Sequence, residues 1–281
     1  MEKIVVVGCG NVGMAYIFAL MNQNTHVDEI VMIDVNEERI EGELMDLCHT
    51  LNYAPNNLKL KVGDYSDCHD ADIVCITAGI PQTMNDRLKD LEKNNILFKE
   101  IVAKVMDSGF DGIFLVASNP LDVMTYLTQY YSGLPYNRVI GSGTSLDSSR
   151  LSYLISEKLD ISPKSVHAYV IGEHGNSQFA FWSKANIAMQ EITKFLSLEE
   201  MDRMEEEVRT AAYEIMERKG STYYGIAICL ARITEAILSD EEFIMPVSNY
   251  DKNNDVYIST PCVLGKEGIK ERIYLDLNAE E

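Results

Sequence analysis

Apolar residues along this chain follow two rhythms. In the first half, short runs rich in Val and Ile recur: KIVVVG (3–8), EIVMID (29–34), LKLKVG (58–63), ADIVCITA (71–78), GIFLVASN (112–119) and RVIGSG (138–143). Their length and their habit of stopping at Gly, Asp or Asn predict strands. Between several of them the spacing lengthens to a helical period. VGMAYIFALMNQ (12–23) follows the first strand, and NEERIEGELMDLCH (36–49), with an acidic first turn suited to a helix N-terminus, follows the second. EKNNILFKEIVAKVMDSG (92–109) is expected to set Ile96, Ile101, Val102 and Val105 near one face and to stop at Gly109. Strand alternating with helix predicts a parallel sheet covered by helices on both faces.

The second half has a different pattern. SLDSSRLSYLISEKL (145–159) reads as a helix, and SVHAYVIGEHGNSQFAFWS (165–183) as extended, alternating chain. Two long helical patterns, 196–220 and 221–238, meet near Gly220, and EEFIMPVSNY, DVYISTPCVLG and KERIYLDLN (270–278) read as antiparallel strands. The change of pattern places a boundary near Gly143, dividing the chain into 1–143 and 144–281. No Pro- or Ser-rich linker marks it, so the halves are expected to pack closely.

Composition narrows the function classes. The chain has 281 residues, 46% hydrophobic and 24% charged, enough to fill a core, and a net charge of −20. That field repels a phosphate backbone, so nucleic acid is not an expected partner. The six cysteines form no CxxC pair, so neither a metal site nor a disulfide framework is expected. Cys9, Cys75 and Cys229 lie in apolar runs and are expected to be core thiols in a reducing compartment. No apolar run is long enough to span a membrane, and the first strand begins at once without a leader-like segment. The expected location is cytoplasmic.

Against this background GCGNVG (8–13) gains meaning. Gly8, Gly10 and Gly13 keep the GxGxxG spacing between a strand and a helix, and Asp34 ends the second strand about 20 residues on. The first glycine permits a tight turn, the second lets backbone approach a pyrophosphate, and the third lets helix and strand pack closely. The helix N-terminus then offers free N–H groups to the phosphates. Asp34 can accept from both ribose hydroxyls and would repel a 2′-phosphate, which favours NAD over NADP. Without a ligand, the same residues would be only a tight strand-to-helix turn. LVASNPLD places Asn119 and Pro120 at the carboxyl end of a strand, where open α/β sheets bind ligands, although a strand-stopping turn looks the same.

Three residues of the second half complete a possible chemistry. His174 in VIGEHGNSQ lies between glycines, a form suited to presenting an ionisable ring and shared by ordinary surface turns. Asp147 and Arg150 are one helical turn apart, which by itself describes a surface ion pair. Oxidising an alcohol beside a dinucleotide requires a proton acceptor, an anion clamp and a carbonyl polariser, roles open to His174, Arg150 and Arg87.

Taken together, GCGNVG, ITAGIPQ, LVASNPLDV, IGSGTSLDSSR, HAYVIGEHG and KGSTYYGIA resemble, in order, the NAD-dependent L-lactate dehydrogenases of the lactate/malate dehydrogenase superfamily. The resemblance runs from Lys3 to about Asn278 and implies a Rossmann doubly wound parallel sheet followed by an α+β substrate domain with antiparallel strands. It implies that His174 is the acid/base, Asp147 orients its ring, Arg150 clamps the substrate carboxylate, and Arg87 arrives on a mobile loop to polarise the carbonyl. Asn119 would bond the substrate oxygen and Thr222 would line the pocket. Gly8, Gly10, Asn11, Val12, Gly13, Asp34, Arg39, Tyr65, Ala78, Gly79, Ala117, Ser118 and Asn119 would hold NAD. Gln82 stands where malate dehydrogenases carry an arginine, so a dicarboxylate would be left unpaired and a 2-oxo monocarboxylate is favoured. The resemblance also implies a homotetramer.

The pattern departs from the family in three places. The loop PQTMNDRLKDLEKN (81–94) lacks the usual Pro-Gly-Glu run, and with GEHGNSQF it is similar to L-2-hydroxyisocaproate dehydrogenases, which take bulkier 2-oxo acids. The chain stops at LDLNAEE, so the family's final amphipathic helix is expected to be missing. A further alternative is an inactive NAD-binding homologue, which would bind NADH without turnover. His167 matches one ligand of the family's fructose 1,6-bisphosphate site, but Ser152 replaces its arginine. Fructose 1,6-bisphosphate is therefore expected to leave the pyruvate saturation curve in place; a clear shift of that curve would overturn this.

Overall fold

The computed structural model describes residues 2–23, 25–80 and 87–281, with the side chains of 87–90 outside that description. Six strands, β1 (Lys3–Val7), β2 (Glu29–Ile33), β3 (Lys59–Val62), β4 (Ile73–Ile76), β5 (Ile113–Val116) and β6 (Val139–Gly141), pair in parallel in the order β3-β2-β1-β4-β5-β6. The order reverses between β1 and β4, which opens a crevice at the carboxyl ends of those two strands. Helices α1 (Asn11–Asn22), α2 (Glu37–Thr50), α3 (Arg87–Asp107) and α4 (Leu121–Ser132) connect the strands.

The period-2 alternation of β1 divides its side chains between two cores. Ile4 and Val6 join Tyr16, Ile17 and Leu20 of α1, while Val5 and Val7 join Phe98, Ile101 and Val102 of α3 and Met124 of α4. Both faces of the sheet are thus apolar, which is why its strands read as continuous runs. The expectation for α3 needs one correction. Ile101, Val102 and Val105 are buried, but Ile96 is 55% exposed, and Phe98 takes the place given to it. Ile96 and Ile101 are five positions apart, which at 3.6 residues per turn carries Ile96 well round the helix. Helix α3 also begins earlier than its apolar period suggested.

The remaining chain supplies α5 (Ser145–Leu159), five two-residue strands, two long helices and three longer strands. The short strands are β7 (Val166–His167), β8 (Val170–Ile171), β9 (Phe179–Ala180), β10 (Asn186–Ile187) and β11 (Gln190–Glu191), broken by turns where the sequence suggested longer extended chain. Helices α6 (Leu198–Lys219) and α7 (Tyr224–Leu238) meet at Gly220. Leu151, Ile155, Met201, Met204 and Val208 build a third core between α5 and α6.

Strands β12 (Phe243–Asp251), β13 (Val256–Gly265) and β14 (Gly268–Arg272) are antiparallel, as expected, but they do not form a separate sheet. Ser248 of β12 pairs with Gly141 of β6 and extends the parallel sheet to nine strands. The third strand ends at Arg272 rather than running on to 278. Gly143 sits at the junction with φ +58, and a Cβ there would lie 2.4 Å from the Ser248 nitrogen, so only glycine fits. Helix α7 covers the same sheet face as α1, and the Tyr16 hydroxyl hydrogen-bonds Thr234 Oγ1 at 2.5 Å between them. The two halves therefore share both a sheet and a core.

The buried face of α3 predicts unequal effects. Phe98→Ala should destabilise by about 3–5 kcal/mol, while Ile96→Ala should stay within about 0.5 kcal/mol, read as shifts of the urea midpoint. Equal shifts would refute the orientation of the helix.

Candidate active site

Three segments meet where β1 and β4 diverge. Gly8 has φ +95, and a Cβ on it would lie 2.4 Å from the Ala78 nitrogen. A Cβ on Gly13 would lie 2.3 Å from the Gly8 carbonyl oxygen. The two outer glycines thus serve close packing, with Thr77 Oγ1 donating to the Gly8 carbonyl. Gly10 differs, since nothing lies within 4 Å of its would-be Cβ. It caps α1 without a side-chain hydrogen bond, and the first turn carries no acid. The first N–H groups of α1, from Asn11, Val12 and Gly13, are left for an anion.

Asp34 stands at the end of β2, one carboxylate oxygen accepting from the Cys9 N–H at 2.7 Å and the other from Asn36 N–H at 2.9 Å. Each oxygen keeps a lone pair for a diol. Arg39 lies in the first turn of α2, paired with Glu43 at 3.3 Å. Tyr65 packs on the α3 core with Lys104 over its ring, 5.2 Å from the centroid. On the other flank, Ala78 N–H donates to Val7 and Ser118 Oγ donates to the Ala78 carbonyl at 2.5 Å, which ties Gly79 and Ala117 into adjoining loops. Asn94, fully buried on α3, joins them by accepting from Ile80 N–H at 2.8 Å. This residue escaped the sequence reading; an asparagine on the apolar face of a helix was its signal. The side chain of Asn11 reaches Ser221 Oγ at 3.0 Å, next to Thr222, which is half-buried ahead of α7.

The polar cluster of the second half is closed by a buried carboxylate. Asp147, on the first turn of α5, has a side chain 2% exposed, and it binds His174 Nδ1 at 2.8 Å with one oxygen and Arg150 Nη1 at 3.0 Å with the other. Arg150 is therefore no surface pair. Burial alone would raise the Asp147 pKa, but the hydrogen bond from His174 and the charges of His174 and Arg150 outweigh it and hold the acid below its ordinary value. Burial would lower the His174 pKa, yet the hydrogen bond and charge of Asp147, with Asp122 adding, hold the imidazole above its ordinary value. His174 keeps 27% of its side chain exposed, so the ring is anchored at one nitrogen and open at its other edge.

Of the glycines flanking His174, only Gly172, with φ +94, needs its backbone freedom; Gly175 stays out of the left-handed region. The His174 N–H is held separately, by Asp122 Oδ2 at 2.7 Å. Asp122 was not singled out from the sequence, although an acid in the apolar start of a helix marks it. Asn119 lies exposed at the end of the loop after β5. Gln82 lies outside the described residues. Arg87 begins α3, and its side chain is likewise outside the description.

This geometry matches known proteins along its whole length. The lactate/malate dehydrogenase NAD-binding domain family matches residues 2–141, and the corresponding α/β C-terminal domain family matches 144–281. The chain belongs to the lactate/malate dehydrogenase family. An L-lactate dehydrogenase 2 of Bacillus cereus is 47% identical over 291 residues, covering 100% of this chain and 92% of that protein. An L-lactate dehydrogenase of Halalkalibacterium halodurans is 48% identical, with the same coverage. Among solved structures, a lactate dehydrogenase from a Medee basin deep-sea metagenome library superposes with a TM-score of 0.96 at 46% identity, over 99% of this chain and 92% of that one. The minor L-lactate dehydrogenase of Enterococcus mundtii, in a ligand-bound form, gives a TM-score of 0.97 at 40% identity, with coverage of 99% and 92%. Membership in this family, with a matched NAD-binding domain, makes the chain an NAD-dependent 2-hydroxyacid dehydrogenase.

The pair His174–Asp147 carries a pH signature. The raised pKa of His174 gives a stabilisation that is complete below about pH 6.5 and lost as pH rises through its folded value, while the lowered pKa of Asp147 gives one that is complete above about pH 4 and lost as pH falls through its folded value. Asp147→Asn should lower the His174 titration point seen by histidine NMR, because burial is then opposed only by the charge of Asp122. An unchanged titration would contradict the assigned contact.

Proposed function

We propose that this protein is an L-lactate dehydrogenase, reversibly converting L-lactate and NAD to pyruvate and NADH. The observation that carries the reading is one buried carboxylate, that of Asp147, shared between a partly exposed imidazole and an arginine. That arrangement sets a proton carrier beside an anion clamp. The first part of the chain, 1–143, serves the nucleotide, and 144–281 serves the substrate.

The residues present fit NAD. The uncapped start of α1 and the open space over Gly10 suit a pyrophosphate, and Asp34 has acceptors for the ribose diol while repelling a 2′-phosphate. When bound, this cofactor supplies a nicotinamide ring that exchanges hydride with the substrate carbon. His174, neutral, takes the lactate hydroxyl proton at Nε2; charged, it returns the proton to the pyruvate oxygen. Asp147 fixes the tautomer through Nδ1 and stabilises the imidazolium. Arg150 binds the substrate carboxylate with a planar fork. Asn119 bonds the reacting oxygen, Arg87 polarises the carbonyl while water is excluded, and Thr222 lines the pocket. A neutral Gln82 favours a monocarboxylate.

Self-association as a homotetramer is part of the proposal. Exposed apolar residues support it: Phe18 on α1, Met45 on α2 and Ile228 on α7 are each at least half exposed. Among the described residues no helix is long and apolar enough to cross a membrane. The six cysteines are unbridged, which suits the proposed cytoplasmic location.

Pyruvate, 2-oxoisocaproate and oxaloacetate should be compared by kcat/KM, following loss of NADH absorbance. Pyruvate is expected to lead. A lead for 2-oxoisocaproate would move the enzyme to the L-2-hydroxyisocaproate branch, one for oxaloacetate would refute the role of Gln82, and NADH binding without turnover would mark an inactive homologue. His174→Asn should lower kcat by roughly 100-fold or more. Arg150→Lys should lower kcat/KM for pyruvate by about tenfold or more, since a lysine cannot reproduce the two-pronged contact.

A further inference from the structure

Asp122 is 8% exposed and takes no part in the mechanism above. It lies on the first turn of α4, three residues after Asn119 and directly after Leu121, a core residue. One carboxylate oxygen accepts the His174 main-chain N–H at 2.7 Å, and the other accepts the Ser248 hydroxyl of β12. Ser248 in turn pairs with Gly141 of β6, and its neighbour across the strand pair, Ser259, accepts the Thr144 N–H immediately before α5. One carboxylate thus joins the helix beginning beside Asn119, the turn that carries His174, and the strands that seat Asp147 and Arg150.

We propose that Asp122 is a positioning residue for the acid/base step, holding the main chain of His174 in register with Asn119 across the junction of the two halves. The inference rests on the assignment of His174 as acid/base. The hydrogen bond that His174 Nδ1 donates to Asp147 fixes the ring, but a ring can pivot on a loose main chain; the bond to Asp122 removes that freedom at the backbone. Misplacing a reacting group by about 1 Å costs on the order of 100-fold in rate. Asp122 also adds negative charge to the same histidine. The charged groups around His174 are Asp147 and Arg150 on α5 and Asp122 on α4, with Glu173 on its own turn facing Asp122. Burial raises the Asp122 pKa, opposed by the bonds from Ser248 and His174.

Two variants separate position from charge. Asp122→Asn keeps an acceptor for the His174 N–H and loses the charge; Asp122→Ala loses both bonds. Asp122→Ala should lower kcat for pyruvate reduction by roughly 30-fold, with KM within about twofold because Arg150 still holds the carboxylate. Asp122→Asn should recover most of kcat at low pH, with the falling limb of the pH profile moved to lower pH. Histidine NMR on the apoprotein should show the same downward movement of the His174 titration in Asp122→Asn. Ser248→Ala, which leaves the His174 bond, should change kcat by less than threefold and serves if Asp122→Ala does not fold. Asp122 variants with wild-type kcat and His174 titration, or with KM rising as much as kcat falls, would overturn the proposal. If the wild-type protein reduced no 2-oxo acid, the assignment of function would fail, while the NMR titration would still decide whether Asp122 acts on His174.

Discussion

A carboxylate buried to 2% exposure cannot stand alone, and the cluster around Asp147 follows from that constraint. Leaving the charge unpaired would cost several kcal/mol. His174 and Arg150 meet that need, and each is altered in return. The histidine gains affinity for a proton, and the arginine is fixed at one end of its fork. The group that stabilises the cluster is thus the one that tunes it. A surface aspartate at the same helical spacing would do neither, because solvent would screen both contacts.

The same economy appears in the frame. Gly141, Gly143, Ser248 and Ser259 are small residues where β6 passes close to β12 and β13. Close approach lets the second half extend the first half's sheet, while α7 lies beside α1 over one face. The crevice between β1 and β4 and the polar cluster on α5 are therefore held by shared sheet and shared core rather than by a linker. The site proposed above draws on both halves, with the nucleotide loops in one and His174 in the other, and would require that rigidity. Burial serves a different purpose for the thiols. Cys9, Cys68 and Cys262 are pushed up to about 12 by desolvation first of all, so they pack as small apolar groups.

Sequence by itself was enough for the elements whose cause is local. Val- and Ile-rich runs ending in Gly or Asp became strands, Ser145–Leu159 formed a helix over the expected residues, and Gly8, Gly13 and Asp34 took the places that spacing assigned. Turn sterics and hydrophobic period act over a few residues, so they are written in adjacent letters. Tertiary structure alone decided which strands share a sheet, because the contact of Ser248 with Gly141 depends on residues far apart in the chain. It also decided that Asp147 is buried, which separates its pair with Arg150 from a surface one. For Asp122 and Asn94 the sequence held only the oddity of a polar side chain in an apolar helix; what each one bonds was decided by partners on other elements.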